Sequence, residues 1–402
     1  MKPAIAGREG LLTCAWYGAL FFAAGAHLPY WPVWLAAWGL SEAEIGTYVG
    51  LALALRVVGS TVLPALADGF AARRAAITIA ALTAAGVFFL HLFIETRPAL
   101  LAATLAVAFV NAPLIPLGEA LGMRAAAMHG FAYAHARAVG SLAFLAMNVG
   151  LGALIARLGP GVVLWAVALN FLAVAALGAV HPGGGAPPGA GLDRSKLRET
   201  LRLTTHPVFL TFAVAASIGQ ASHAVFYVYG TLGWVGQGIG PGTIGLLWAT
   251  GVAAEIWLML GPGRRLVERI GPAGAVMLAG AAGVLRWGLM SVEPPQVLLW
   301  PIQCLHAVTF GLGYLGAMAF VAAAVPPRLQ ASAQGLYGGG IGGLAFALAT
   351  LAAGAINASF GAASAYWLAA AMSGVGLLAA LRLQRVWDGQ SIIDAPIAAA
   401  QR

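Results

Sequence analysis

Pro116-Leu117-Gly118-Glu119-Ala120-Leu121-Gly122-Met123-Arg124 and, after a short break, Tyr133-Ala134-His135-Ala136-Arg137-Ala138-Val139-Gly140 form the stretch whose reading decides the fold. Glu119 and Arg137 are opposite charges in a run that is otherwise almost wholly apolar, from Asn111 to Phe144. Met128 lies midway between them, inside the break Arg124 to His135. If the break is the tip of a helical hairpin, each charge is equally far from it, and the constant rise of a helix sets carboxylate and guanidinium at one depth. A charge in hydrocarbon is costly unless it is paired or faces water, so such a pair marks a functional site by default.

The composition carries the same message over the whole chain. Of 402 residues, 61% are hydrophobic and only 8% are charged, which excludes a soluble domain of this length. Twelve apolar runs are each long enough to cross a hydrocarbon core of about 30 Å as a helix. The fold class is therefore an all-α membrane protein of twelve transmembrane helices. A net charge of +8 invites a nucleic-acid reading, but its distribution argues against one. Alternating the spans from a cytoplasmic N-terminus leaves all but five of the 21 basic residues in cytoplasmic segments; Arg97 and Arg157 fall outside, and Arg56, Arg137 and Arg286 fall within spans. That is the positive-inside pattern, and it predicts both termini in the cytoplasm. Cys14 and Cys304 fall inside spans, which excludes a disulfide framework. The first apolar run, Gly10 to Leu35, is too long for a cleavable signal.

Along the chain, Ser41 and Glu44 fit a reciprocal capping box at the start of the second span. That span closes on Asp68, Arg73 and Arg74, and half a chain later Glu268 and Arg269 repeat the acid and base after the eighth span. The repetition predicts a duplicated six-helix unit. The domains are then residues 1–181, a cytoplasmic linker 182–206 that ends in a surface amphipathic helix, and residues 207–402 with a disordered tail after Trp387. Gly335 to Gly343 has no strand-turn-helix context for phosphate, so helix packing is its expected role. The turn residues Asp68, Arg73, Arg74, Glu268 and Arg269 read as a gating latch, with a solvated cap as the alternative.

Of 13 acids, only Glu119 and Glu255 lie deep in spans. Glu255 and Arg286 straddle the turn near Ile270, while Arg286 and His306 straddle the turn at Gln296; helix rise places all three in one layer about 15 Å from that second turn. Each half thus brings a glutamate and an arginine to the depth where repeat-built transporters hold substrate. Arginine offers bidentate donors matched to a carboxylate, and a glutamate or histidine in such a place can carry a proton. Structural ion pairs that lock helices together are the alternative for both pairs. Arg56 is also deep, with His27 at similar depth, and it reads equally as substrate contact or helix glue. Tyr30, Trp31, Trp34, Phe226, Tyr227 and Tyr229 sit toward the outer ends of spans one and seven, where interface anchoring explains them; any that face inward, Trp31 and Tyr227 among them, can stack on an aromatic substrate.

Taken together, twelve spans with acid-base turns after the second and eighth resemble the major facilitator superfamily. Pro29-Tyr30-Trp31-Pro32-Val33-Trp34-Leu35, Tyr133-Ala134-His135-Ala136-Arg137 with Gly140-Ser141, Leu285-Arg286-Trp287, Gln303-Cys304-Leu305-His306 with Phe310-Gly311, and Ala333-Gln334-Gly335-Leu336-Tyr337 resemble its 3-phenylpropionic acid transporter family. That family is similar to the lactose-permease group. The resemblance implies substrate binding by Glu119 and Arg137, and substrate and proton handling by Glu255, Arg286 and His306. One turn after its histidine the permease carries a proton-binding carboxylate; here the residue is Thr309. Pro64, Gly69 and Ala71 depart from the superfamily's turn motif, and Tyr314 stands where the phenylpropionate-type proteins tend to have a second histidine.

The sequence therefore predicts a proton-coupled symporter for a small, aromatic organic acid, in a bacterial inner membrane, acting by alternating access as a monomer. Arg137, Glu119, Arg286, His306, Arg56, His27, Trp31 and Tyr227 are the substrate-binding candidates, and Glu255, Glu119 and His306 the proton-coupling ones. The expected partners are the substrate, protons and the bilayer, with no cofactor, metal or nucleic acid. Sugar or glycoside symport is the alternative within transport, followed by drug/proton antiport. A membrane enzyme is disfavoured, because the deep charges form no nucleophile-base or metal constellation.

Overall fold

A computed structural model describes residues 7–184, 194–326, 329–361 and 363–392. Among these residues the chain is wholly helical, with twelve helices long and apolar enough to cross a membrane. They are α1 Gly7–Trp38, α2 Glu42–Asp68, α3 Arg73–Phe93, α4 Arg97–His129, α5 His135–Leu158, α6 Val162–Ala179, α7 Pro207–Gly236, α8 Pro241–Leu260, α9 Gly263–Met290, α10 Gln296–Ala324, α11 Ser332–Phe360 and α12 Ala365–Val386. The spans expected from hydropathy correspond to these within a few residues, save that α9 begins earlier. Leu266 to Pro272 is helix rather than an open turn, interrupted only at Gly271, whose positive φ of 75° lets Pro272 start the next helical segment. The predicted capping box is formed: the Ser41 amide donates to Glu44 Oε2 at 2.9 Å, and the Glu44 amide donates to Ser41 Oγ at 3.4 Å. Gly130, at φ 77°, ends α4 two residues after the expected tip at Met128.

Besides α9, four spans are broken, which hydropathy alone did not predict. α4 breaks at Ala112–Pro113, where proline cannot donate to the helical ladder. α7 breaks at Ser222, between the segments Pro207–Ala221 and His223–Gly236. α10 and α11 each widen into a π-helical segment, Ala307–Leu312 and Gly335–Gly342. The glycine run in α11 packs on α7 through Gly342, where an added Cβ would come 3.7 Å from the Ser217 side chain, but not along its whole length. An added Cβ on Gly335, Gly338 or Gly339 would meet nothing within 4 Å, and the wide turn leaves the Tyr337 carbonyl to accept the Ser217 hydroxyl.

The chain forms two compact units. One comprises Met1–Gly191 with Tyr227–Ala249; the other comprises Leu192–Phe226 with Thr250–Arg402. Within the first unit, the later parts of α7 and the start of α8 lie against α1, α2 and α5. Tyr229 donates to the Glu42 carbonyl at 3.2 Å and Tyr30 to the Asn148 carbonyl at 2.8 Å. Gly245 and Gly152 make this approach possible, since a Cβ on either would come within 2.5 Å of the Asn148 or Pro241 carbonyl oxygen. The aromatic residues expected as interface anchors are accordingly inside: Tyr30, Trp31, Trp34, Phe226 and Tyr229 are all buried.

In the second unit, Phe209, Phe212, Phe320 and Tyr337 centre the core. The start of the expected disordered tail is ordered here, because Ile392 donates its amide to the Ala324 carbonyl at 2.9 Å. The connecting helix, Arg194–Leu203, matches the predicted amphipathic segment, while residues 185–193 of the linker and 393–402 of the tail lie outside the described residues. Cys14 and Cys304 are free thiols.

Candidate transport site

In the first unit Glu119 and Arg137 meet as the hairpin arithmetic requires, with Arg137 Nε donating to Glu119 Oε1 at 2.9 Å. The pair is not sealed: the two side chains are 34% and 30% exposed. The guanidinium lies 4.0 Å from the centre of the Phe21 ring, and Tyr17 lies beside it, donating to the Gly118 carbonyl at 3.1 Å. Tyr17 and Phe21 escaped the sequence reading because nothing in the regular apolar pattern of α1 shows which face meets α5. The glycines around the pair were a signal that could have found them. A Cβ on Gly122 would approach the Tyr17 hydroxyl at 2.8 Å, and one on Gly140 the Phe21 ring at the same distance.

The same unit holds an aromatic cluster around His27. Its ring stacks on Trp31 at 5.3 Å, Trp31 stacks on Trp34 at 4.6 Å, and Phe88 and His91 close the group edge-on to Trp31. Arg56 lies within electrostatic range of His27. It is half-buried and makes no hydrogen bond or ion pair with the described residues. Tyr227 packs on Trp248, whose indole donates to Thr231 Oγ1 at 2.9 Å.

The second unit brings Glu255, Arg286 and His306 together, as the layer argument predicts, but His306 stands between the other two. Arg286 NH1 donates to His306 Nδ1 at 3.1 Å, and His306 Nε2 lies 3.3 Å from Glu255 Oε2. Arg286 is fully buried and also donates to Thr309 Oγ1 at 3.1 Å and Gln303 Oε1 at 2.9 Å, with its charge over the Trp287 ring. His223 completes the group, its Nε2 lying 3.1 Å from Thr309 Oγ1. Sequence reasoning missed His223, which sits immediately after the break in α7; no acid or base lies near it along the chain to draw attention.

The turn residues behave differently from one another. Arg73 makes a bidentate pair with Asp68, one contact being 2.9 Å from NH2 to Oδ2. The Arg74 guanidinium lies against Gly184, where an added Cβ would come within 2.1 Å of it. Next to it His181 is fully buried, accepts the Gly183 amide at Nδ1 and packs edge-on to Trp16. Burial, with a smaller contribution from Arg74, pushes the His181 imidazole down to about 4. Glu268 pairs with Arg264 at 2.8 Å along its own helix, and Arg269 is exposed. Among the described residues no cluster of side chains could hold a metal ion.

Twelve broken and unbroken spans, with an acid and an arginine brought together inside each unit, define a polytopic membrane transporter of the major facilitator fold. The chain belongs to the MFS_1 like family, whose model matches residues 15–368. It is 28% identical over 311 residues to the probable 3-phenylpropionic acid transporter of Escherichia coli (strain K12), covering 76% of this chain and 80% of that protein. It is 26% identical to the maltose permease of Geobacillus stearothermophilus, over 92% of this chain and 93% of that one. Among solved structures, the nucleoside transporter NupG superposes with a TM-score of 0.81 at 16% identity, covering 95% of this chain and 100% of that chain. A D-xylose-proton symporter superposes at 0.68 and 15% identity, over 94% and 97%. These structural likenesses show the fold; with the family they make the chain a transporter and not an enzyme.

Proposed function

We propose that the protein is a proton-coupled symporter for a small aromatic carboxylate of the phenylpropionate type, working by alternating access in a bacterial inner membrane with both termini in the cytoplasm. The observation that carries this reading is the partly open Glu119–Arg137 pair, with an arginine that already holds a carboxylate and an aromatic ring against its face. A substrate carboxylate takes the place of Glu119 on Arg137, and its ring finds aromatic surface at Phe21 and Tyr17. Glu119, displaced, takes up a proton that neutralises it, so substrate and proton enter together. Arg56, beside the His27–Trp31 stack, offers a second carboxylate anchor. The likeness to a probable 3-phenylpropionic acid transporter supports the substrate class. Asp68 and Arg73 serve as one latch of the gating cycle.

Uptake of labelled phenylpropionate into proteoliposomes under an imposed pH gradient tests the reading. Accumulation that collapses with the gradient supports it; wild-type transport by Glu119→Gln and Arg137→Ala sinks it. Sugar symport is the second reading, favoured by the likeness to a maltose permease. Thermal stabilisation by maltose but not by aromatic acids would select it.

A further inference from the structure

Thr309 occupies the place where a proton-binding carboxylate is expected by resemblance, and the groups around it fix the direction of the hydrogen bonds that link Arg286, His306 and His223. Arginine has donors only, so His306 Nδ1, 3.1 Å from Arg286 NH1, is an acceptor. Neutral His306 then carries its hydrogen on Nε2 and directs it at Glu255 Oε2. A further proton at Nδ1 would face the guanidinium, so in this arrangement His306 is a link rather than a loading site.

On the other side of Arg286 the hydrogen-bond polarity reverses. Arg286 NH1 also donates to Thr309 Oγ1, which leaves the threonine's own hydrogen for His223 Nε2. His223 Nδ1 lies 3.0 Å from the Gln220 carbonyl, an acceptor, so it carries the hydrogen and Nε2 holds the lone pair. A basic nitrogen that is 1% exposed thus points at a hydroxyl that can reverse its direction. When Nε2 gains a proton, the Thr309 hydrogen turns to the His306 carbonyl, 3.5 Å away, and Thr309 Oγ1 accepts from Nε2–H. One hydrogen bond is exchanged for another and one positive charge is added.

A cavity of about 20 Å³, enough for one water molecule, borders Thr309, Gln220, Ser222 and Ser373, so a water there can exchange a proton with Thr309. Gln220 Oε1 is buried without a hydrogen-bond partner among the described residues and can orient such a water. We propose that His223 is the proton-binding residue of the second unit, loading and releasing a proton at Nε2 through Thr309; this rests on the proton-coupled reading above.

Ionisable groups that face His223 include Arg286 from α9 and His306 from α10, the latter with its ring 5.5 Å away. Glu255 of α8 lies beyond His306, and Tyr366 of α12 beyond Trp287. A proton on His223 therefore puts a second cation next to Arg286, with Glu255 as the nearby carboxylate. Coulomb repulsion opposes that state unless an anion enters with the proton, which is the coupling a carboxylate symporter requires.

The test uses the full chain in proteoliposomes with phenylpropionate, comparing accumulation under a pH gradient with exchange at equal pH, alongside proton uptake on adding phenylpropionate to purified protein in weak buffer. His223→Gln is expected to lower the ratio of accumulation to exchange about tenfold and to lower the proton uptake to the share carried by Glu119. Thr309→Ser keeps the hydroxyl and should retain both; Thr309→Val should lower both as His223→Gln does. The threonine pair decides the matter if His223→Gln does not fold. Wild-type ratio and proton uptake in His223→Gln, or in Thr309→Val, overturn the assignment. Failure of the wild-type protein to couple phenylpropionate to protons overturns the functional reading itself, and is seen before any variant is made.

Discussion

Arg286 and Glu255 are joined through one imidazole: His306 accepts from the guanidinium at Nδ1, 3.1 Å away, and presents Nε2 to the carboxylate at 3.3 Å. The arginine is fully buried, and side-chain acceptors on Gln303, His306 and Thr309 help make the charge tolerable there.

Removing one of them should show in stability. His306→Ala is expected to destabilise the protein by about 3 kcal/mol, because it leaves a buried charge short of an acceptor. Arg286→Met combined with His306→Leu should recover most of that loss without recovering transport. Thermal unfolding of the single and double variants in detergent measures the non-additivity. Strictly additive losses would mean that the two residues are not coupled.

Glu119 and Arg137 are partly open, so their replacement should affect transport more than folding. Arg137→Ala is expected to raise the KM for phenylpropionate about thirtyfold, the worth of a charge-assisted hydrogen bond. Glu119→Gln should slow pH-driven accumulation while exchange at equal pH is less affected. Initial-rate uptake at several substrate concentrations separates the two.

Arg56 provides the contrast with Arg286, since the described residues give it no hydrogen bond or ion pair. Arg56→Gln should leave the unfolding temperature unchanged or raised, because a costly charge is removed. It should weaken binding of phenylpropionate but not of phenylpropionamide, the neutral analogue. Equal loss for both ligands would assign Arg56 a packing role.

His181 makes stability depend on pH. Its imidazole is neutral when folded and charges only near pH 4, whereas the unfolded chain takes up the proton around 6.5. The unfolded state therefore binds more protons in that window, and stability is expected to fall as pH drops from about 6.5 toward 4, by about 3 kcal/mol in all. His181→Asn keeps an acceptor for the Gly183 amide without a titrating ring. Its unfolding temperature should change less between pH 7.5 and pH 4.5 than that of the wild type, and an identical change would remove His181 as the cause.

The sequence by itself determined the twelve spans, the cap at Ser41 and the pairing of Glu119 with Arg137. Hydropathy and capping are local sums along the chain, and helix rise is constant, so depth in a span can be counted from a turn. Counting also put Glu255, Arg286 and His306 in one layer. Rotation about each helix axis and the partners it brings are different quantities, set by packing between segments far apart in the chain. That is why the sequence did not show Phe21 over Arg137, the burial of Trp31 and Trp34, or the place of His306 between an arginine and a glutamate. It is also why His223 was missed. Its position depends on the break at Ser222, where Trp287 and Ser373 both donate to the Ser222 hydroxyl, and on the π-helical turn of α10 that carries Thr309; both are properties of the assembled bundle.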